Sequence, residues 1–208
     1  MNYSRDTARH EAAHFVVHWA IGFPAYQVDI TPEGQREGEL GITKGCPVAP
    51  TNVADILVSI AGPVADNWEC DNFQLFENCK NEIGEAIKDY KNGNQYHSTH
   101  SDWESCVHSL YLSGVDILDG KQLEDSLNWY IDAVRSILKQ CNNQWNEATE
   151  HLVKYGRIGF DGEHPDQGQG AEYFFFRWGD DYGRPPKGIQ NIANCHYKTK
   201  TTYERTTR

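Results

Sequence analysis

Five residues near the N-terminus, His10-Glu11-Ala12-Ala13-His14, form the pattern HExxH. On an α-helix the two histidines lie about 40° apart and one turn along, so both imidazoles can reach one metal ion. Zn²⁺ would lower the pKa of a bound water toward ~7, and Glu11 would accept the proton of that water and pass it to the leaving amine. The pattern predicts a zinc metallopeptidase site with His10 and His14 as ligands and Glu11 as general base.

The specificity of this pattern depends on its rarity and on its context. A chain of this composition contains about 0.03 such matches by chance, and the segment has a helical period. The alternative is a pair of partly exposed histidines on an amphipathic helix. His18 lies one turn further on, and we expect it to be a histidine of the core or next to the ligands rather than a ligand itself.

A catalytic zinc site needs a third protein ligand beside its water position. The extended motif with a third histidine is absent, because Val17 and Ala20 occupy its Gly and His positions. The ligand must therefore come from further along the chain. The candidates are Asp55, Asp66, Glu69, Asp102, His97 and His100.

Asp102 is the candidate that we favour. Ser101 and Glu104 have the spacing of a capping box, which would hold Asp102 in the first turn of a helix, where the helix dipole favours an ionised carboxylate. The alternative is that Asp102 only stabilises the start of its helix. His100 and Glu69 remain the rival ligands.

The elements that must position these residues are mostly helical. The pattern predicts helices over 4–21, 52–68 with an interruption at Gly62-Pro63, 72–90, 101–113 and, as the longest, 122–155. Strands are predicted over 26–31 and 39–43, forming a small antiparallel ribbon beside the active-site helix. The strand segment 28–31 is expected to pair with an extended substrate. We expect a mainly α domain over 1–160.

Residues 161–208 are expected to form an irregular extension. The stretch 159–188 contains seven Gly and three Pro, together with an aromatic patch at 173–178 that must be buried against something. The last 25 residues are basic and lack an apolar period, which predicts a flexible polar tail.

Composition limits the classes of function. The 208 residues carry a formal charge of −11, which argues against binding to nucleic acid or to an anionic membrane. The apolar stretches are too short for a membrane span, and no signal peptide is apparent, so we expect a soluble cytoplasmic protein. Six cysteines without a CxxC pair predict mostly reduced thiols in the core.

Several segments, in order, resemble the peptidase domain of the FtsH-type AAA+ zinc metalloproteases. They are 8–17 around the HExxH pattern, 28–32, 56–65, 98–102 and 134–161, and the resemblance covers about residues 5–162. It implies a zincin-like helical fold, a Zn²⁺ cofactor and Asp102 as the aspartate ligand. The chain departs from the pattern of that family in three places. Ala13 replaces a residue that is usually Gly, and Pro63 stands within a segment that is Gly-rich in the family. The acidic stretch 69–95 looks like an insertion.

The expected function is a stand-alone zinc metallopeptidase that cleaves peptides or unstructured proteins. No phosphate-binding loop of the Gly-x-x-x-x-Gly-Lys-Ser/Thr type is present, so the digestion of folded proteins is expected to need a separate unfoldase. Self-association is a further expectation from the resemblance. The alternative is a weakly active or inactive relative that uses the same fold to bind a metal or a partner.

Overall fold

The computed structural model describes residues 3–23, 25–32, 41–45, 52–92, 101–159, 174, 177 and 178. The chain is mainly helical with a small three-stranded antiparallel sheet, which confirms the predicted class. The elements are α1 (Arg5–Ala20), β1 (Ala25–Asp29), β2 (Ile42–Gly45), α2 (Asn52–Ser59), α3 (Ala61–Asp66), α4 (Asn72–Lys91), α5 (Asp102–Leu112), α6 (Gly120–Gln140), α7 (Asn142–Tyr155) and β3 (Arg157–Ile158).

Helix α1 is the centre of the fold. It begins where the Ser4 side chain accepts a hydrogen bond from the Thr7 backbone N–H at 3.3 Å. Buried residues lie on almost every side of it, because α7, α3 and the sheet all pack against it. Small residues such as Ala8 and Ala12 allow these elements to approach closely. The helix that carries HExxH is therefore buried on several sides, whereas an amphipathic pattern predicts one buried side.

The sheet has the order β2-β1-β3, with β1 in the middle. Val28 pairs with Thr43 on one side and with Ile158 on the other. The expectation that segment 28–31 pairs with a substrate is therefore wrong for Val28 and Asp29, because both residues already pair with β2 on one side and with β3 on the other. The predicted strand over 39–43 is shifted to Ile42–Gly45, and residues 39 and 40 lie outside the described part.

Strand β3 was not predicted, and it is fixed by a partly buried ion pair. The Arg157 Nε atom donates to Asp29 Oδ2 at 2.9 Å, and the Arg157 Nη2 atom donates to Thr31 Oγ1 at 2.9 Å. Gly156 has φ of 73°, a left-handed conformation that ends α7 and turns the chain into β3. Two residues are too few to give a strand pattern in sequence.

Two predicted helices are divided. The segment over 52–68 becomes α2 and α3 with Ile60 between them, so that Pro63 falls in the first turn of α3, where a missing N–H costs least. The single helix predicted over 122–155 is wrong: it becomes α6 and α7, which meet at buried Cys141. The Cys141 N–H still bonds the Ile137 carbonyl, but its φ of −103° and ψ of 27° depart from helical values, so α6 and α7 are separate helices, and α7 packs against α1.

The helices predicted over 72–90 and 101–113 are confirmed as α4 and α5. Each begins with a capping box, formed by Asp71 with Gln74 and by Ser101 with Glu104. Within the described part of the chain, no helix is long and apolar enough to cross a membrane. Cys70, Cys79, Cys106 and Cys141 are free thiols, whereas cysteines 46 and 195 lie outside the described residues.

The aromatic residues Phe174 and Trp178 belong to the same core as the helices. Their rings contact Phe15 at 5.8 and 5.5 Å between centroids, and Trp178 also contacts Trp19 at 5.2 Å. The Trp178 Nε1 atom donates to Glu147 at 3.2 Å. The rest of the predicted extension 161–208 lies outside the described residues apart from residue 177, and the boundary at 160 stays a prediction.

Candidate metal centre

Three side chains from two helices meet at one point beside α1. His10 and His14 point there from α1, and Asp102 is the first residue of α5. The Asp102 Oδ2 atom lies 3.0 Å from His10 Nε2 and 3.3 Å from His14 Nε2, and the two Nε2 atoms are 3.2 Å apart. Among the described residues, these three form the one group of His, Cys, Asp or Glu side chains arranged closely enough to share a metal ion.

The spacing of these three atoms suits a small tetrahedral ion. Ligand atoms 2.0–2.1 Å from a tetrahedral zinc are about 3.3 Å from one another. The three observed separations of 3.0, 3.2 and 3.3 Å are near that value. Two imidazole nitrogens and one carboxylate oxygen are also a donor set that zinc accepts.

Local sequence explains why Asp102 is placed so firmly. The Ser101 side chain accepts from the Glu104 N–H at 3.3 Å, and Glu104 accepts from the Ser101 N–H at 3.0 Å. This box fixes the start of α5, so the first residue of the helix projects in a defined direction. The Asp102 side chain is 31% exposed, which leaves the site open on that side.

The far nitrogen of each imidazole also has a partner. The Nδ1 atom of His10 lies 2.8 Å from Asp66 Oδ2, and that of His14 lies 2.7 Å from the Val58 carbonyl oxygen. Such partners fix the ring orientation and the tautomer of metal-binding histidines. Asp66 was a candidate third ligand; instead, it contacts the edge of His10 that points away from Asp102.

Gly62 of α3 leaves the space in which the two imidazoles meet. A Cβ atom at this position would overlap the Nε2 atoms of both His10 and His14. Only glycine therefore allows α3 to pack against this part of α1. The residue stands in the Gly-Pro break of the predicted helix, so the sequence indicated an irregularity here but not its reason.

The site has strongly interacting charges. Burial alone would lower the pKa of His10, but the Asp102 and Asp66 carboxylates outweigh it and raise that pKa to about 11. Burial has the same lowering effect on His14, and Asp102 again reverses it, so the pKa of His14 is raised. Although burial acts in the opposite direction, the two histidines hold the pKa of Asp102 well below its usual range. The Asp102 carboxylate therefore favours the charged forms of the two histidines, and they favour its ionised form.

Glu11 lies beside this group on the inner side of α1. Its side chain is 6% exposed, and Thr43 Oγ1 of β2 donates to Glu11 Oε2 at 2.7 Å. Burial raises the pKa of Glu11, while His14, His10 and the Thr43 hydrogen bond oppose that rise. No role for Thr43 was predicted, because the alternation of a short strand does not tell which helix residue its side chains will meet.

The other candidates are not part of the group. Among the described residues, Asp55 and Glu69 lie outside the candidate metal-binding cluster, and His97 and His100 fall outside the described part of the chain. The His18 Nδ1 atom instead lies 2.7 Å from the Phe23 carbonyl oxygen. Burial lowers the pKa of His18 to about 4, as expected for a neutral histidine of the core.

Comparisons with protein-family models, curated proteins and solved structures gave no match.

Proposed function

We propose that the protein is a zinc-dependent metallopeptidase that hydrolyses peptide bonds in peptides or unstructured proteins. One observation carries the proposal: His10 Nε2, His14 Nε2 and Asp102 Oδ2 lie within 3.3 Å of one another, next to the buried carboxylate of Glu11. The resemblance to the FtsH-type peptidase domain supports the same conclusion.

Each side chain has a separate task in this proposal. His10, His14 and Asp102 hold the ion, and Asp66 and the Val58 carbonyl orient the two imidazoles. A bound Zn²⁺ supplies Lewis-acid activation of water and of the scissile carbonyl. Glu11 accepts a proton from the attacking water and delivers it to the leaving nitrogen. Its burial raises its pKa, which makes the carboxylate a better proton acceptor once it is ionised.

The substrate is proposed to bind along β2 instead of β1. Strand β1 is paired on both sides, whereas β2 pairs only with β1 among the described residues. An extended peptide can add to such an edge through main-chain hydrogen bonds. Since Thr43 of β2 contacts Glu11, a peptide on this edge would be next to the general base. Folded proteins are expected to resist cleavage unless a separate unfoldase assists.

The test combines metal content with hydrolysis. Protein purified without added metal should contain about one zinc per chain, and it should cleave a quenched unstructured protein until a chelator is added. Glu11→Gln should keep zinc and lose at least about 10²-fold in rate, because its amide cannot accept a proton. Asp102→Asn should lose both zinc and activity. Glu124→Gln on the exposed side of α6 is the control and should match the wild type.

The results also separate the alternative function. A wild type that holds zinc but cleaves nothing, with Glu11→Gln indistinguishable from it, would indicate a relative that binds metal or a partner without catalysis. Retention of Glu11 in a buried position favours activity, since metal binding alone does not require that carboxylate. We also propose that the protein is cytoplasmic and has no nucleic-acid partners; the charge of −11 supports the second of these proposals.

A further inference from the structure

Strand β2 and the residue before it contact Glu11 at two alternate positions. The Thr43 hydroxyl donates to Glu11 Oε2 at 2.7 Å. Two residues earlier, a Cβ atom at Gly41 would lie 2.7 Å from both Cγ and Oε1 of Glu11. Because side chains alternate along a strand, positions 41 and 43 share one face. Glu11 therefore packs into a notch in which Gly41 provides the space and Thr43 provides the hydrogen bond.

The Glu11 carboxylate needs this donor. Its side chain is 6% exposed, and a buried carboxylate is costly unless it is hydrogen-bonded. Within the described residues, Thr43 is the hydrogen-bond donor to the Glu11 side chain. A threonine on a strand is a rigid donor, because its branched Cβ restricts χ1. One carboxylate oxygen of Glu11, Oε2, is thus held by the strand. The other oxygen, Oε1, is left to accept a proton from the attacking water of the proposed reaction.

We propose that Thr43 is a positioning residue for the general base. Its hydroxyl fixes Oε2 of Glu11, so that the carboxylate is held in one orientation before the substrate binds. This inference rests on the proposed function, and it deepens that function by assigning a role to the neighbouring strand. The Thr43 hydroxyl bonds Glu11, which is not one of the three proposed ligands, so its loss should affect the base and leave the metal in place.

The kinetic test compares three threonine substitutions. Thr43→Val keeps the shape and removes the hydroxyl, whereas Thr43→Ser keeps the hydroxyl. The matched control is Thr149→Val, since Thr149 is also buried and its hydroxyl donates to the Trp145 carbonyl on α7 at 2.8 Å. Thr43→Val should lose about 10- to 100-fold in kcat with zinc content and KM nearly unchanged, because misplacement of a catalytic group costs about that much. Thr43→Ser should recover most of the loss.

A second test needs no activity. A double-mutant cycle of Thr43→Val with Glu11→Met, which has a similar length but no oxygen to accept the hydrogen bond, isolates the contact between the two side chains when it is measured by chemical unfolding of the metal-free protein. Hydrogen bonds to charged groups predict a coupling of about tenfold or more in the unfolding equilibrium constant. The cycle of Thr149→Val with Glu11→Met should show none.

The outcomes distinguish the two proposals. A wild type that hydrolyses nothing overturns the proposed function, and the positioning role falls with it. An active wild type whose Thr43→Val variant keeps full kcat, or whose cycle shows no coupling, overturns the role of Thr43 alone. If Thr43→Ser is as slow as Thr43→Val, the hydroxyl is not the group that matters, and the inference is also overturned.

Discussion

The Nδ1 atom of His10 lies 2.8 Å from a carboxylate oxygen of Asp66, while its Nε2 atom lies 3.0 Å from Asp102. One imidazole therefore bridges two carboxylates that stand 36 positions apart in the sequence. For Nε2 to bind a metal ion, the ring proton must be on Nδ1, and Asp66 is placed to accept it. Asp66 thus selects the tautomer that leaves Nε2 free for the ion.

Asp66→Asn is expected to weaken zinc binding about 10- to 100-fold, the usual cost of losing such a partner. The amide accepts a hydrogen bond less strongly than the carboxylate and no longer favours a proton on Nδ1. Asp102→Asn should weaken binding much more, because it removes a direct ligand. Competition with a chromophoric chelator measures both, and Asp55→Asn on α2 is the control. Equal affinities for Asp66→Asn and Asp55→Asn would contradict this role.

Gly62→Ala is expected to abolish zinc binding although it changes no ligand. The added methyl group would overlap both Nε2 atoms, and α3 cannot withdraw without unpacking the core around α1. Gly84→Ala is the matched control: it lies in α4, a Cβ there meets nothing within 4 Å, and alanine should stabilise the helix by up to about 1 kcal/mol. Metal content and the free energy of unfolding of both variants decide the matter. Normal zinc content in Gly62→Ala would show that the site can shift.

Zinc binding at pH 7 is expected to release at least one proton. The pKa of His10 is raised to about 11 and that of His14 is also raised, so the metal-free site holds protons at neutral pH. Repulsion between two nitrogens 3.2 Å apart opposes full protonation of both rings. Because a metal ion must displace these protons, zinc affinity should increase as the pH rises. Calorimetry in buffers of different ionisation enthalpy measures the release, and a heat independent of buffer would disprove it.

Trp178→Ala is expected to destabilise the whole domain by about 3–5 kcal/mol, as other large-to-small core substitutions do. The Trp178 ring is buried against Phe15 and Trp19 of α1. Phe73→Ala is the control, because Phe73 is 70% exposed.

Truncation after residue 183 should leave the free energy of unfolding unchanged, whereas truncation after residue 160 should lower it. If both truncations unfold alike, the boundary within the extension is misplaced.

Much of the site could be predicted from residues close together in the sequence. The spacing of His10 and His14 places both imidazoles on one face of a helix, with Glu11 beside them. The Ser101–Glu104 capping box marks where α5 begins. Both are local properties, and the structure brings the predicted ligands together. Asp66 could be named as a candidate, but its partner could not, since the angle between α1 and α3 decides which nitrogen it meets.

The errors arise where packing across the chain overrides local pattern. Apolar residues recur every three or four positions through Cys141, so the sequence indicates one helix. In the structure α6 and α7 are separate helices, and α7 packs against α1. Strand β3 has two residues and is fixed by the pairing of Arg157 with Asp29, which are 128 positions apart. Its presence covers the second edge of β1, so that β2 and β3 are the edge strands of the described sheet, and no local signal reports that.

The enclosure of α1 has a consequence for biosynthesis. The HExxH helix leaves the ribosome well before groups that cover it: Trp145, whose Nε1 atom donates to the Arg9 carbonyl, follows 136 positions behind. At about 5–20 residues per second, that gap lasts on the order of ten seconds. During this time the apolar surface of α1 lacks the cover of Trp145, and for about the first two thirds of it Asp102 is still to be added. The nascent chain therefore acquires the three proposed zinc ligands one after another, and the set is complete only after Asp102 has been added.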